Sequence, residues 1–312
     1  MEISEHARLK ATLNEDAFAD PMLIDRGIYP DDPDLRAKAI AAAAANTRAP
    51  RGNTNMKISE HDSKGIISKI SALSRLPDAE ARCRDMQRHY AKSGSEPTAF
   101  CTDWYASLAS GTPNYAIYSD DRYVPEAVAC YLNYSKSYIR AIARLTLPRF
   151  DKVYDLGCGV GLTTALLAEL FPDRQIIGTQ VDGPQKDIAV KLGDQYGFTV
   201  ADCADDCRGA LVVALDYAEH FQDPVAHFRP VIHQRPSVIA LANSFAAKSI
   251  GHFDSYVIEG VETPAKKAGR AFNKWLRNCQ YFKPDFGFYN DRPSVWLLKD
   301  EDEEQKDEED TQ

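Results

Sequence analysis

The chain has 312 residues, 44% of them hydrophobic, seven cysteines and a net charge of −9. This length supplies a packed core without structural staples, and the odd, scattered cysteines are typical of reduced thiols in a cytoplasmic protein rather than of a secreted disulfide scaffold. No signal peptide is visible. The longest apolar-looking run, at 37–45, is too short and alanine-based to cross a bilayer.

The negative charge is concentrated at one end of the sequence. Residues 300–310 hold nine acids and one lysine, a net −8, whereas residues 36–92 hold twelve Lys or Arg and five Asp or Glu, a net +7. We expect 300–312 to form a disordered acidic tail, because its like charges repel and it has nothing apolar to bury. Such a tail either aids solubility or shields the basic segment, where it would compete with nucleic acid.

The first half of the chain predicts a flexible or partly helical segment at 1–55 and a helical cap at 56–147. In the first segment, a helix is expected over 35–46 and a linker over 48–55. In the cap, Ile66, Ile67, Ile70 and Leu73 give one helix an apolar face. Further helices are expected over 78–91 and 124–145, the second leading into the first strand.

Aromatic residues are concentrated between 99 and 138 of the cap. They are Phe100, Trp104, Tyr105, Tyr115, Tyr118, Tyr123, Tyr131, Tyr134 and Tyr138. Most are expected to pack the cap helices onto the next domain. Tyrosine at this density also suits a pocket that stacks a planar substrate, and we take Tyr118 and Tyr123 as candidate substrate contacts.

The run VYDLGCGVGLTT at 153–164 predicts a strand, a tight glycine turn and a helix. Gly157, Gly159 and Gly161 alternate, so the backbone can turn sharply and approach a ligand with no Cβ in the way. Dinucleotide sites have the spacing G-x-G-x-x-G, whereas this spacing is G-x-G-x-G with Asp155 two residues before the first glycine. The run resembles motif I of the class I S-adenosylmethionine (SAM) methyltransferases, D-x-G-C-G-x-G.

Alternating strands and helices follow this motif across a domain at 148–299. Strands are expected at 152–156, 175–179, 198–201, 210–215 and 237–243, with helices at 163–171, 184–196 and 224–232. A helical insertion at 263–280 precedes a hairpin of 286–289 with 294–298. The resemblance implies an α/β fold: a doubly wound, seven-stranded methyltransferase sheet with a terminal antiparallel hairpin, plus the N-terminal helical cap.

The resemblance also implies which residues bind the cofactor SAM. The glycine turn, with Asp155, Cys158 and the three glycines, would receive the amino-acid end of SAM. At the end of strand 2 the family has an acid that accepts both ribose hydroxyls, but Gln180 occupies that position here. Either Gln180 does this with weaker hydrogen bonds, or Asp182 reaches in, or the cofactor differs from SAM. Asp202 would accept from the adenine amino group, and Leu215 completes the predicted cofactor site.

The segment ALVVALDYAEHFQDP at 210–224 is similar to the family's segment after strand 4, with Ala210 replacing the usual acid. It places Asp216, Tyr217, Glu219 and His220 at the edge of the sheet where α/β proteins bind ligands. We predict Asp216, Glu219 and His220 as catalytic, with His220 the candidate base because imidazole titrates near neutral pH. Tyr217 is a candidate substrate contact.

Two further residues are candidates for substrate contact: Asn243, which ends strand 5, and His252, which follows it. The motifs of amino-methylating and cytosine C5-methylating enzymes are absent after strand 4. One Glu and one His do not make a metal site by themselves, so we assign none.

The sequence therefore predicts a SAM-dependent methyltransferase that acts on an O or N atom of a small molecule, with no membrane partner. Two alternatives remain open. One is a methyltransferase-like binding or regulatory protein without transfer activity. The other is a nucleotide- or nucleic-acid-modifying enzyme that uses the basic N-terminal segment.

Overall fold

The computed structural model describes residues 63–91, 98–286, 288 and 292–299. The predictions of a helix at 35–46, a linker at 48–55 and an acidic tail at 300–312 lie outside the described residues. Among the helices that are described, none is long and apolar enough to span a membrane.

A seven-stranded sheet forms the centre of the described chain. The strands in chain order are β1 Lys152–Leu156, β2 Gln175–Thr179, β3 Thr199–Ala201, β4 Leu211–Leu215, β5 Val238–Ala242, β6 Ser255–Ile258, β7 Val261–Pro264, β8 Tyr281–Phe282 and β9 Ser294–Leu298. The large sheet has the order β3-β2-β1-β4-β5-β9-β8, and β6 and β7 form a separate hairpin. Its strands are parallel except β9, which runs antiparallel to both β5 and β8.

Helices precede the sheet and alternate with its strands. The α-helices are α1 Ser63–Leu73, α2 Ala79–Ala91, α3 Ala99–Ala109, α4 Val124–Cys130, α5 Lys136–Ala143, α6 Leu162–Leu170, α7 Pro184–Tyr196, α8 Pro224–His233 and α9 Ala265–Asn278. A π-helical turn, Tyr131–Ser135, joins α4 to α5, so the helix predicted over 124–145 is one continuous rod that ends at Ala143.

Two hydrophobic clusters cover the two faces of the sheet. Because side chains alternate along a strand, Val153 of β1 faces one cluster and Tyr154 the other. The first cluster also contains Ile67 and Ile70 of the cap, and the second contains Trp104. The cap therefore packs on both faces of the sheet rather than standing apart from it.

The predicted fold class is confirmed, and the differences are local. Strands β1 and β2 and helix α7 have the predicted bounds. The predicted strand at 286–289 lies partly outside the described residues, and the described residues 286 and 288 do not belong to a strand. Instead, β9 pairs with Tyr281–Phe282, through Tyr281 with Leu298. The hairpin of β6 and β7 was not predicted.

Candidate active site

A cavity of about 540 Å³ lies at the carboxyl ends of β1, β2 and β4, beneath the cap. Its wall includes the glycine turn on one side and Asp216 and His220 on the other. A volume in this range suits a bound small molecule. The location is the edge at which open parallel sheets bind ligands.

The glycine turn is built around two positions that accept no other residue easily. Gly157 and Gly161 have φ of +67° and +83°. A Cβ on Gly157 would lie 2.4 Å from the Tyr217 ring, and one on Gly161 would lie 3.1 Å from Ala189 of α7. Gly159 also has a positive φ, +55°, but it differs in the space around it, since the nearest atom to a Cβ there would be 3.8 Å away. The backbone at Gly159 is therefore open to the cavity.

Asp155 fastens this turn to the helix that follows it. Its buried carboxylate accepts hydrogen bonds from Thr163 Oγ1 at 2.6 Å and from Thr164 Oγ1 at 2.7 Å. Burial raises the pKa of Asp155 to about 6, while the two hydroxyl donors act in the opposite direction. Both hydroxyls donate to the same oxygen, Oδ2, so Asp155 braces the turn while it borders the cavity.

Gln180 reaches the glycine turn, whereas Asp182 does not. Gln180 Oε1 accepts from the Gly159 amide at 3.1 Å, and Gln180 borders the cavity. The Asp182 side chain is 94% exposed and pairs with Lys186 at 2.7 Å. Lys186 also pairs with Asp202, which borders the cavity. Of the two candidates for the ribose position, the one at the cavity is Gln180.

Tyr118 and His220 meet on the opposite side of the cavity. The Tyr118 hydroxyl lies 2.5 Å from His220 Nδ1, and the His220 ring packs edge-on against the His252 ring with centroids 5.2 Å apart. Burial lowers the pKa of His220 to about 4; the nearby Asp216 carboxylate opposes this shift. Burial raises the pKa of Tyr118 well above its ordinary value. Near neutral pH the imidazole is therefore neutral and the hydroxyl keeps its proton.

Gly251 makes the contact between Tyr118 and His220 possible. It has φ of +77°, and a Cβ there would lie 1.9 Å from the Tyr118 hydroxyl oxygen and 2.1 Å from His220 Nδ1. These distances are far below van der Waals contact. Sequence reasoning did not identify Gly251, because the glycine is distant from both residues along the chain.

Asp216 follows β4 directly and has an unusual backbone conformation. Its φ is +53°, which is uncommon for a residue other than glycine. The Tyr134 hydroxyl donates to Asp216 Oδ2 at 3.0 Å, and the Asp216 amide donates to the Ala242 carbonyl at 3.1 Å. This strained corner turns the carboxylate toward the cavity wall.

Glu219 lies behind the site rather than in its wall. The side chain is fully buried, Oε1 accepts from the Ser244 amide, and Oε2 has no partner among the described residues. Burial, followed by the nearby charge of Asp216, raises the pKa of Glu219 well above its ordinary value. Through the Ser244 amide the carboxyl links the loops after β4 and β5.

Asn243 and His252 are also absent from the cavity wall. Asn243 Oδ1 accepts from the Ala218 amide at 3.4 Å, and its carbonyl accepts from Arg292 at 2.8 Å. His252 is buried, and its Nδ1 has no partner within the described part of the chain.

Three side chains that could bind a metal ion lie close together: one ligand atom each from Asp216, His220 and His252 lies within 4.8 Å of the others. Two imidazoles and a carboxylate are a donor set that suits a divalent first-row metal ion.

The rest of the cavity wall is largely aromatic and apolar. The predicted residues Cys158, Leu215, Tyr217 and Tyr123 border it, whereas Gly161 does not. Wall residues that the sequence did not single out for binding include Tyr115, Ala127, Cys130, Tyr131, Val181, Phe221 and His227. His227 stacks on Phe221 with centroids 3.5 Å apart, and its Nε2 lies 2.7 Å from the Tyr217 hydroxyl.

The strand order, the antiparallel β9 and the glycine turn after β1 together decide the fold. The chain has the class I methyltransferase fold.

No protein-family model matches this chain. A curated relative, trans-aconitate 2-methyltransferase of Variovorax paradoxus, is 38% identical over 63 residues, which are 20% of this chain and 24% of that enzyme. The chain therefore matches about a quarter of the length of that relative.

Solved structures of methyltransferases are also similar to this chain. A putative O-methyltransferase of Nostoc punctiforme has a TM-score of 0.44 and 14% identity, and the match covers 64% of this chain and 68% of that one. A putative methyltransferase of Bacillus halodurans has a TM-score of 0.35 and 17% identity, covering 48% and 70%. A plantazolicin methyltransferase solved with a substrate analogue and SAH has a TM-score of 0.35 and 11% identity, covering 52% and 61%.

Proposed function

We propose that this protein is a SAM-dependent methyltransferase that transfers a methyl group to an O or N atom of a small molecule. The observation that carries the proposal is the single cavity bounded by both the glycine turn and the Tyr118–His220 pair. A cofactor on the turn and an acceptor beside His220 would share this space. Holding two reactants in one geometry supplies much of the catalysis in a direct displacement.

The residues on the cofactor side fit SAM. Gly159 leaves open space toward the cavity, Gln180 offers an amide at the ribose position, and Val181 exposes 62% of its surface beside it. The apolar Val181 side chain gives adenine a surface to pack on, and Asp202 offers an acceptor for the adenine amino group. When bound, SAM supplies an electrophilic methyl group on a sulfonium.

The residues on the acceptor side can position a planar molecule and remove its proton. Tyr118, Tyr123 and Tyr217 border this space. For His220 to take a proton, its Nδ1–H must donate to the Tyr118 oxygen so that Nε2 carries the lone pair. In that role Tyr118 selects the tautomer. Glu219 and Asn243 then act as positioning residues, because they hold the loops that carry His220.

The proposal is tested with [methyl-³H]SAM and a cell extract divided into small molecules, protein and nucleic acid. Label is expected in the small-molecule fraction, and the His220→Ala variant should transfer it at least about 100-fold more slowly, a loss within the usual range for a general base. Label only in nucleic acid would support the alternative that uses the basic N-terminal segment. SAM binding without label in any fraction would support a binding protein.

A chelator arm completes the assay, because Asp216, His220 and His252 lie close enough to share an ion. Transfer that survives the chelator agrees with His220 as a free base. If the chelator abolishes methyl transfer and an added divalent metal restores it, the result would support metal catalysis in place of His220 as a free base.

A further inference from the structure

Helix α9 carries five basic side chains along one side. The 14 residues of α9 include no Asp or Glu. Its exposed basic residues are Lys266, Lys267, Arg270, Lys274 and Arg277. At 100° per residue these five fall within about a quarter of the helix circumference. Phe272, Trp275 and Leu276 are buried on the opposite side. We call the five-residue surface the basic face of α9.

The basic face has no ionic partner among the residues that the structure describes. None of its five members forms an ion pair there. Lys266, Arg270 and Lys274 are spaced four residues apart, so their like charges repel one another. Packing of the buried side holds the helix, and no ion pair with a described residue offsets the repulsion. An anionic partner would relieve it.

The chain passes directly from the end of β9 into the acidic segment 300–310, and β9 ends beside α9. The Lys299 amide donates to the Gln280 carbonyl at 2.9 Å, two residues beyond the end of α9. The Arg277 guanidinium lies 5.6 Å from the centre of the Trp296 ring of β9. The acidic segment therefore starts at the C-terminal end of the basic face.

The acidic segment 300–310 matches the basic face of α9 in both length and charge. Eleven extended residues can span about 36 Å, whereas the 14 residues of α9 span about 21 Å. The acidic segment carries a net −8 and the basic face +5. Each exposed pair contributes little by itself, but the tether gives the segment a high effective concentration at this surface.

We propose that the acidic segment 300–310 docks along the basic face of α9, antiparallel to the helix. The contact is electrostatic and reversible, and it competes with any polyanion for the same face. It is independent of methyl transfer. It also assigns the acidic segment to a different surface from the basic segment at 36–92.

Zero-length carbodiimide cross-linking tests this contact, because it joins only a carboxylate and a lysine amine that touch. The full chain is cross-linked at low protein concentration, and the linked peptides of the monomer are mapped by mass spectrometry. Links from 300–310 to Lys266, Lys267 or Lys274 are expected. Their yield should fall about fivefold or more in 1 M salt, where the screening length is about 3 Å.

Arg270→Glu is the informative variant, since it reverses a charge in the middle of the face and keeps all three lysines. It should reduce the links about threefold or more. Lys191→Glu, an exposed position on α7, is the matched control and should leave them unchanged. Links from 300–310 mainly to lysines within 36–92, or none at all, would overturn the proposal. Cross-links whose yield does not change with salt or in Arg270→Glu would also overturn it. A polyanion that binds the basic face of α9 without reducing the cross-links would do the same.

Discussion

The Tyr118 hydroxyl and His220 Nδ1 lie 2.5 Å apart although the residues are 102 positions apart in the sequence. Tyr118 belongs to the cap and His220 to the turn after β4. The contact therefore joins the cap to the carboxyl edge of the sheet, at the wall of the cavity. Gly251 packs against both groups, which makes this contact sensitive to a single added methyl group.

Gly251→Ala should break the contact. The new Cβ would overlap both the hydroxyl and the imidazole, and alanine is strained at φ of +77°. We expect the free energy of unfolding to fall by about 2–4 kcal/mol, the sum of overpacking and backbone strain. Urea denaturation measures it, and the His220 ring signals in NMR should shift.

Gly260→Ala is the matched control for this substitution. Gly260 has φ of +78°, and a Cβ there would meet no atom within 4 Å. Gly260→Ala should therefore lower the free energy of unfolding only by the backbone strain, about 1 kcal/mol. Equal losses in the two variants would show that the Tyr118–His220 contact tolerates the added methyl group.

His220 should titrate far below an ordinary histidine. Burial sets its pKa at about 4, so the folded state favours neutral imidazole. Stability from this group is present above pH 6.5 and is lost as the pH falls toward 4, by about 3 kcal/mol. An NMR titration of the His220 Cε1–H signal measures the pKa directly. A midpoint above 6 would contradict the account of a buried, neutral base.

Asp155 should change the free energy of unfolding in the opposite direction to His220 over nearly the same pH range. Its pKa is raised to about 6, so the fold favours the protonated form. The stability that protonation contributes is present below pH 3.8 and is lost as the pH rises through 6, by about 3 kcal/mol. The stability of Asp155→Asn relative to wild type should therefore increase between pH 4 and 7 in urea denaturation. Asp151→Asn, exposed beside the same strand, is the control. A flat difference would argue against the buried carboxylate.

Much of the sheet could be predicted because its signals are local. The apolar strand, three glycines and helix at 153–164 defined β1, the turn and α6 within a residue or two. The partner of β9 could not be predicted in this way, since β8 has two residues and is fixed by long-range pairing of Tyr281 with Leu298. The hairpin of β6 and β7 had a signal at Glu259-Gly260, where both residues have positive φ, but it was not recognised.

The candidate site was predictable at the ends of strands and less so behind them. Asp155, Gln180, Asp216 and His220 end or follow strands and border the cavity. Glu219 lies beside His220 in sequence but points away from the cavity, because the short 3₁₀ turn Ala218–His220 puts neighbouring side chains on different sides. The roles of Gly251 and His227 depend on contacts between distant segments, which no local pattern indicates.

Gln180→Glu should strengthen cofactor binding. A carboxylate would make charge-assisted hydrogen bonds to a ribose diol and could still accept from the Gly159 amide. We expect the SAM dissociation constant to fall about fivefold in Gln180→Glu and to rise about tenfold in Gln180→Ala, by calorimetry. Gln175→Ala, at the exposed far end of the same strand, should change nothing. An effect of Asp182→Asn larger than that of Gln180→Ala would transfer the ribose contact to Asp182.

Calorimetric titration with SAM and with SAH measures whether the glycine turn binds the cofactor. Wild type should bind both ligands. Gly159→Arg should weaken binding at least about 100-fold, or 2.7 kcal/mol, because the side chain would fill the open cradle. Gly260→Arg carries the same change at another positive φ and should bind like wild type. Failure of folded, ligand-free wild type to bind either ligand, or normal binding by Gly159→Arg, would contradict the account.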